Sequence, residues 1–213
     1  MKEVEMHPIW LIAGAYLLGS IPFGLLAGKL KGVDIREHGS GNIGATNAGR
    51  VLGRKIGLAV FFLDFCKGLV AVTVIAGLAK LQEPSMMPWV EMACLFGAVA
   101  GHNWSVFLKG KGGKGVATSA GGVTGILPAS ALLGMAVFFV TVWLSGFVSL
   151  GSILAAVSVP LFLPILMRPV PPAYWMLSLL LAGIVIWRHK SNIQRLREGK
   201  ENRVGWARKR RKP

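Results

Sequence analysis

The chain has 213 residues, of which 53% are hydrophobic and only 15% charged, with 28 glycines and a formal net charge of +15. An apolar share of that size, gathered into long uncharged runs, excludes an ordinary soluble domain. The basic excess alone would suit a nucleic-acid partner, but the Lys and Arg residues are gathered in segments between apolar runs and in the C-terminal tail, a placement that reports topology and decides against one.

Residues Pro8 to Gly28 carry no charge, and a helix needs about 20 apolar residues to cross a hydrocarbon layer roughly 30 Å thick. A first span is therefore expected over about 8–28. Ala13-Gly14-Ala15 loosely resembles a signal-peptide cleavage site, but Glu3 and Glu5 beside Lys2, the length of the run, and Lys29 and Lys31 after it favour a retained helix. Residues 29–55 carry Lys29, Lys31, Arg36, Arg50, Arg54 and Lys55; a second span over 56–79 contains Asp64 and Lys67; and the segment from Lys80 to Glu91 is weakly acidic. A third span over 90–108 leads to Lys109, Lys111 and Lys114. The 53 residues from Gly115 to Met167 have no charge, and as one helix they would be about 80 Å long. Breaks near Gly125–Ser130 and Ser145–Ser152 divide them into spans over 115–127, 130–146 and 150–167. A seventh span over 172–187 follows Arg168, Pro169 and Pro171, and the tail 188–213 carries eleven Lys and Arg residues.

Basic inter-span segments are retained on the cytoplasmic side. The expected fold is all-α: a single polytopic membrane domain of seven transmembrane helices with the N-terminus outside, the C-terminus cytoplasmic, and the active-site loops at the cytoplasmic face of the cell inner membrane. Cys66 and Cys94 fall within spans and imply no disulfide framework. Gly121, Gly122, Gly134 and Gly183 are read as sites of close helix packing.

Under this topology four polar clusters fall at the inner face. The first, Gly39 to Arg50, is too apolar for a solvated linker and too short for a domain, so a re-entrant or interfacial loop is expected. Its glycine-exposed N–H groups, with Ser40, Asn42, Asn47 and Arg50, can surround an anion; a flexible basic loop at the lipid headgroups is the plainer alternative. The second is Asp64 and Lys67, which share a helix face. Intramembrane charges are costly enough to be functional by default, although a structural ion pair explains them equally well. The third is His102-Asn103 followed by Lys109-Gly110-Lys111-Gly112-Gly113-Lys114-Gly115 at the start of the fourth span. Lysines and glycines at a helix N-terminus suit phosphate, because N–H groups and the helix dipole reinforce the cations. The string is not a Walker A loop, since Gly115 follows Lys114. The last cluster, Arg188 to Leu196, puts His189 and Asn192 on one helix face.

Together with Gly19-Ser20-Ile21-Pro22-Phe23-Gly24, Asp64-x-x-Lys67-Gly68, Gly101-His102 and Lys111-Gly112-Gly113-Lys114-Gly115-Val116-Ala117-Thr118, these clusters resemble the bacterial membrane-integral acyl-phosphate:glycerol-3-phosphate acyltransferases over nearly the whole chain. Trp104 departs from the pattern, standing where another aromatic is expected. The resemblance implies transfer of a fatty acyl group from acyl phosphate to the sn-1 hydroxyl of glycerol 3-phosphate, giving lysophosphatidic acid and phosphate in phospholipid biosynthesis. It also implies that Ser40, Arg50, the glycine–lysine motif, Ser149, His189 and Asn192 belong to the active site.

Acyl phosphate is already activated, so this chemistry calls for no acyl-enzyme. The sequence contains no G-x-S-x-G elbow, no histidine with an aspartate five residues on, and no cluster of metal ligands. Direct attack is expected, with no cofactor or metal. Arg50, Lys111, Lys114 and Ser40 would hold phosphate, with Asn42, Gly112 and Gly113 in the same binding loops, while Asn47, Ser149 and Asn192 orient the hydroxyl and the acyl carbonyl. Lys67, supported by Asp64, would reach toward phosphate. His189 acts either as general base or as a phosphate ligand while the acyl phosphate's own oxygen takes the proton. The implied partners are the two substrates and membrane lipids; no oligomeric state follows from the sequence, and a monomer is compatible with it. The competing reading is a transporter of a phosphorylated or carboxylic anion. Transporters place the site near the midplane, often between repeats, whereas these polar residues gather on one side and show no internal repeat. A scaffold for other lipid enzymes would not need Ser, Asn, His and Arg clustered among glycines.

Overall fold

The computed structural model describes residues 8–79 and 84–205. Lys2, Glu3 and Glu5, Lys80 and Glu83 of the weakly acidic segment, and the basic extension from Arg208 to Lys212 lie outside the described residues. Among the described residues all regular structure is helical, and the chain divides into two compact units after Ile126.

The first unit contains α1 (Pro8–Ser20), α2 (Phe23–Leu30), the short α3 (Ala45–Val51), α4 (Arg54–Val70), α5 (Met87–Asn103) and α6 (Val116–Ile126). α4 runs on through a π turn, Ala71–Ile75, and a 3-10 turn, Ala76–Leu78. The expected first span is thus two helices. Pro22 has no N–H to donate and breaks the helix, leaving carbonyls at the end of α1 that hydrocarbon cannot satisfy. Protein groups supply the donors: Lys67 Nζ reaches Gly19 O at 3.0 Å and Ile21 O at 2.9 Å, and Ser105 Oγ reaches Ser20 O at 2.6 Å. A cation at the C-terminal end of α1 also complements the helix dipole.

Small residues bring the helices of this unit close together. A Cβ at Gly19 would overlap the carbonyl of Ala98, and one at Gly101 that of Tyr16, so α1 and α5 meet backbone to backbone. Gly68 and Gly121 do the same for α4 and α6, and Gly122 accommodates Leu95. Such approach is how membrane helices gain contact where lipid offers no hydrophobic advantage. Cys94 lies in the apolar core with Leu11, Ala15, Ala71 and Ala98; it and the half-buried Cys66 are both free thiols.

The second unit contains α7 (Pro128–Ser145), α8 (Val148–Leu166), α9 (Pro172–Arg188) and α10 (Lys190–Arg197). α7 starts on a proline, whose missing N–H costs nothing at a helix N-terminus. It ends on Gly146, whose φ of 77° gives the left-handed cap that glycine adopts readily. Ser145 Oγ then accepts the Phe147 N–H at 3.1 Å, closing the turn into α8. Gly134 has ordinary contact distance to Ala155, but a Cβ at Gly183 would meet nothing within 4 Å, so the packing role expected for Gly183 is not observed.

Four stretches, Pro8–Leu30, Arg54–Leu78, Pro128–Ser145 and Val148–Leu166, are long and apolar enough to cross a membrane, and α9 is a shorter apolar helix. Trp10, Phe62, Phe139, Trp143, Leu144, Leu161 and Ile165 are all exposed. So much outward-facing apolar bulk would be a liability in water and is ordinary against lipid.

Candidate active site

The segment between α2 and α4 is an ordered loop. Its organiser is Asn47, buried on α3: Oδ1 accepts the Ser40 N–H at 2.8 Å, while Nδ2 donates to Ile35 O at 2.9 Å and His38 O at 3.1 Å. Both amide protons are therefore spent on the loop itself. Asn42 Oδ1 accepts the Gly44 N–H at 2.8 Å and turns the chain into α3. These bonds turn the Asn47 amide away from substrate and commit the Asn42 carbonyl oxygen to the loop, so that both side chains help build the segment that presents Ser40 and Arg50, both exposed. Upstream, the Arg36 guanidinium hydrogen-bonds Asp34 and holds its carboxyl down at about 2. Replacing Asn47 by Leu is expected to remove about 2–3 kcal/mol, at roughly 1 kcal/mol for each lost bond. Hydrogen exchange at the Ser40 amide should then accelerate at least about tenfold; unchanged protection there would show that Asn47 does not hold the loop.

The second loop joins α5 to α6. Gly110 N bonds to Ser105 O at 2.9 Å, Lys111 N to Leu108 O at 3.0 Å, Gly112 N to Asn103 O at 3.2 Å and Gly113 N to His102 O at 2.9 Å. The N–H groups of Gly112 and Gly113, expected to cradle phosphate, thus point back at the end of α5. These glycines supply shape, and the cationic donors are Lys111, exposed, and Lys114, half-buried, at the start of α6. Both loops rest on one apolar floor: Leu25, Ile35, Ile43, Ala48 and Val60 cluster under the first, and Leu108, just before Lys109, packs against the same cluster.

Beneath them lies the intramembrane pair. Lys67 Nζ is 2.8 Å from Asp64 Oδ1 and 3.1 Å from His102 Nδ1, with all three side chains buried. Lys67 has three protons, and Gly19 O, Ile21 O and His102 Nδ1 account for them. Asp64 Oδ1, which has no aligned hydrogen bond, supplies neutralising charge at close range. The ammonium is enclosed by protein acceptors, so the expectation that Lys67 reaches toward phosphate gives way to a role inside the fold.

In the second unit the predicted residues gather round a carboxylate that the sequence reading passed over. Glu201 Oε1 accepts from Ser149 Oγ at 3.0 Å and from Asn192 Nδ2 at 2.7 Å, and Oε2 from Arg195 Nε at 2.8 Å. Burial alone would raise its pKa; the hydrogen bonds from Asn192, Arg195 and Ser149 outweigh that and hold it below the usual range. Its presence as one of two acids, with Glu198, in a basic tail was the only available sign of it. The strap from Glu201 onward is pinned by Val204 N to Gly146 O at 2.9 Å and by the Arg203 guanidinium, 4.7 Å from the Phe147 ring centre. His189, buried between α9 and α10, has Nδ1 2.7 Å from Val185 O. A carbonyl can only accept, so Nδ1 carries the proton and the lone pair of the neutral ring is on Nε2.

A helical membrane protein with its cations set on glycine-rich, internally braced loops has the makings of an enzyme acting on phosphate-bearing lipid precursors. Sequence and structure comparisons narrow this. The sequence model of the glycerol-3-phosphate acyltransferase family matches residues 9–199. A glycerol-3-phosphate acyltransferase of Desulforamulus reducens is 45% identical over 203 residues, covering 95% of this chain and 98% of that one. One from Aquifex aeolicus is 42% identical, covering 93% and 100%. The fold is similar to a crystal structure of PlsY (YgiH), an integral membrane glycerol 3-phosphate acyltransferase, in its glycerol 3-phosphate form, with a TM-score of 0.85 and 40% identity over 96% of this chain and 99% of that one. It is also similar to the lysophosphatidic acid form of PlsY, with a TM-score of 0.82, 41% identity, and 93% and 95% coverage. The chain belongs to the glycerol-3-phosphate acyltransferase family, integral membrane acyltransferases of phospholipid biosynthesis.

Proposed function

We propose that this acyltransferase takes its acyl group from acyl phosphate and delivers it to the sn-1 hydroxyl of glycerol 3-phosphate, releasing lysophosphatidic acid and inorganic phosphate. The observation that carries this reading is the pair of cationic loops, 39–50 and 109–115, braced separately on one apolar floor. Two such seats match a reaction in which donor and acceptor each bring a phosphate. An acyl-phosphate donor also suits a sequence without a nucleophile elbow. Binding of glycerol 3-phosphate and lysophosphatidic acid by the PlsY structures supports the same acceptor and product here.

Arg50 and Ser40 on the first loop, and Lys111, Lys114 and the first turn of α6 on the second, are assigned to the phosphates. Ser149, His189 and Asn192 are assigned to the reacting hydroxyl and acyl carbonyl. Because ionised Glu201 can only accept, the Ser149 hydroxyl spends its proton there, and its lone pairs suit it to receive a hydrogen bond from the glycerol hydroxyl. His189 Nε2 suits either a base or, protonated, a phosphate donor. A His189→Gln enzyme that keeps nearly full kcat would remove the base role, and a change in KM alone would mark uniform binding.

The protein is assigned seven crossings with the N-terminus outside and these loops on the cytoplasmic side of the inner membrane. Support comes from the basic segments and from Trp187 at the end of α9, whose ring has Arg188 and Lys190 at 5.7 and 5.8 Å, a combination suited to the headgroup layer. α6, with 11 residues, is the shortest crossing and implies local thinning of the bilayer. The test is purified protein with glycerol 3-phosphate and, separately, acyl phosphate, acyl-CoA and acyl carrier protein thioester. Lysophosphatidic acid is expected from acyl phosphate alone; formation from a thioester donor at a comparable rate would defeat the donor assignment.

A further inference from the structure

The glycine–lysine loop is held from behind by groups to which the reaction assigns no part. Gly112 and Gly113 give their N–H groups to the carbonyls of Asn103 and His102. A Cβ at Gly113 would overlap Nε2 of His102, so the imidazole occupies the place where any other residue would put its side chain; one at Gly115 would come within 2.9 Å of Asn103 Oδ1. The other nitrogen of the His102 ring is fixed as well. Lys67 Nζ, 3.1 Å from Nδ1, can only donate, so Nδ1 accepts and the proton of the neutral ring sits on Nε2, beside Gly113. Lys67 is itself anchored on Gly19 O and Ile21 O at the break between α1 and α2, with Asp64 balancing its charge. A continuous line of buried contacts therefore runs from that break, through Lys67 and His102, to the middle of the loop.

We infer that Lys67 and His102 are positioning residues for phosphate binding: Lys67 orients the His102 ring, and the ring sets the path of Gly112–Gly113 so that Lys111, Lys114 and the first turn of α6 converge on a substrate phosphate. The inference rests on the reading of residues 109–115 as a phosphate seat. Its physical basis is entropic. Glycine has more backbone freedom to lose than any other residue, and a loop ordered in advance does not lose that freedom again on binding. Neither side chain is asked to touch substrate, so their removal acts on KM.

The phosphate so held belongs either to glycerol 3-phosphate or to acyl phosphate, and measuring both KM values tells which. His102→Ala is expected to raise one of them about tenfold or more while kcat stays within about threefold. His102→Gln, whose side-chain oxygen can still accept from Lys67, should recover much of the loss. Gly113→Ala, which pushes against the ring, should raise the same KM, and in the His102→Ala/Gly113→Ala double variant the KM should fall below that of Gly113→Ala alone. A merely structural His102 would lower the melting temperature and leave the KM of the folded enzyme where it was. Unchanged KM values in Gly113→Ala overturn the inference even if His102→Ala does not fold, as does a double variant whose effects simply multiply. Failure of the wild-type enzyme to use acyl phosphate would instead strike the proposed function, so the two failures are distinguishable.

Discussion

Replacing Lys67 with Met is expected to cost the folded protein about 3–5 kcal/mol, the usual penalty for leaving one member of a buried ion pair without its partner. The carboxylate of Asp64 would remain buried with its neutralising charge gone, Gly19 O would lose its Lys67 donor where lipid provides none, and Ile21 O would keep only the Phe23 N–H. At roughly 2–4 °C per kcal/mol for a chain of this size, the melting temperature in detergent should fall by roughly 10 °C. Asp64→Asn should cost less, because the ammonium keeps two carbonyls and the imidazole as acceptors. Combining Asp64→Asn with Lys67→Met removes the stranded charge and should recover part of the Lys67→Met loss. Equal melting of wild type and Lys67→Met would show that the pair does not stitch the broken first helix to α4.

Glu201→Ala should lower kcat about a hundredfold, since displacement of reacting groups by about 1 Å has effects of that order. One carboxylate fixes the Ser149 hydroxyl, the Asn192 amide and the Arg195 guanidinium, and a methyl group in its place frees all three. Glu201→Gln can still accept from Ser149 and Asn192 but loses the charge that pairs with Arg195, and should fall between the two, at about a tenfold loss. Wild-type kcat in Glu201→Ala would detach Ser149 and Asn192 from the chemistry. The carboxylate also carries a pH dependence. Its folded pKa lies below the ordinary glutamate value, so its contribution to stability is complete above that ordinary value and is lost as pH falls through the depressed one. The stability deficit of Glu201→Gln should therefore shrink as pH falls, and its acid unfolding should begin at lower pH than its neutral-pH deficit alone would give.

Much of the helical framework was legible because hydrophobic run length is a property of consecutive residues. The breaks at Leu127 and Gly146–Phe147 follow from Pro128 and Gly146. The break at Ile21-Pro22 was equally visible as a proline in an apolar run; what could not be read was whether the freed carbonyls would find donors, because Lys67 and Ser105 lie far along the chain. The loops showed the same division. Composition identified 39–50 and 109–115 as glycine-rich and cationic, whereas the inward turn of Asn47 and of the N–H groups of Gly112 and Gly113 depends on which acceptors the folded neighbours offer.

The amino-acid sequence alone therefore determined that this is a helical membrane protein with cationic glycine loops, and its ordered motifs pointed to the family that the comparisons established. Burial and partnership were decided only by the tertiary structure. It turned Lys67 from a reaching cation into an internal brace, set His102 against Gly113, and brought Glu201 under Ser149 and Asn192. The physical reason is that a charged or amide group has the same local signature whether it faces substrate or protein. Its role follows from how it is desolvated and which donors or acceptors surround it, and residues distant in the chain supply both.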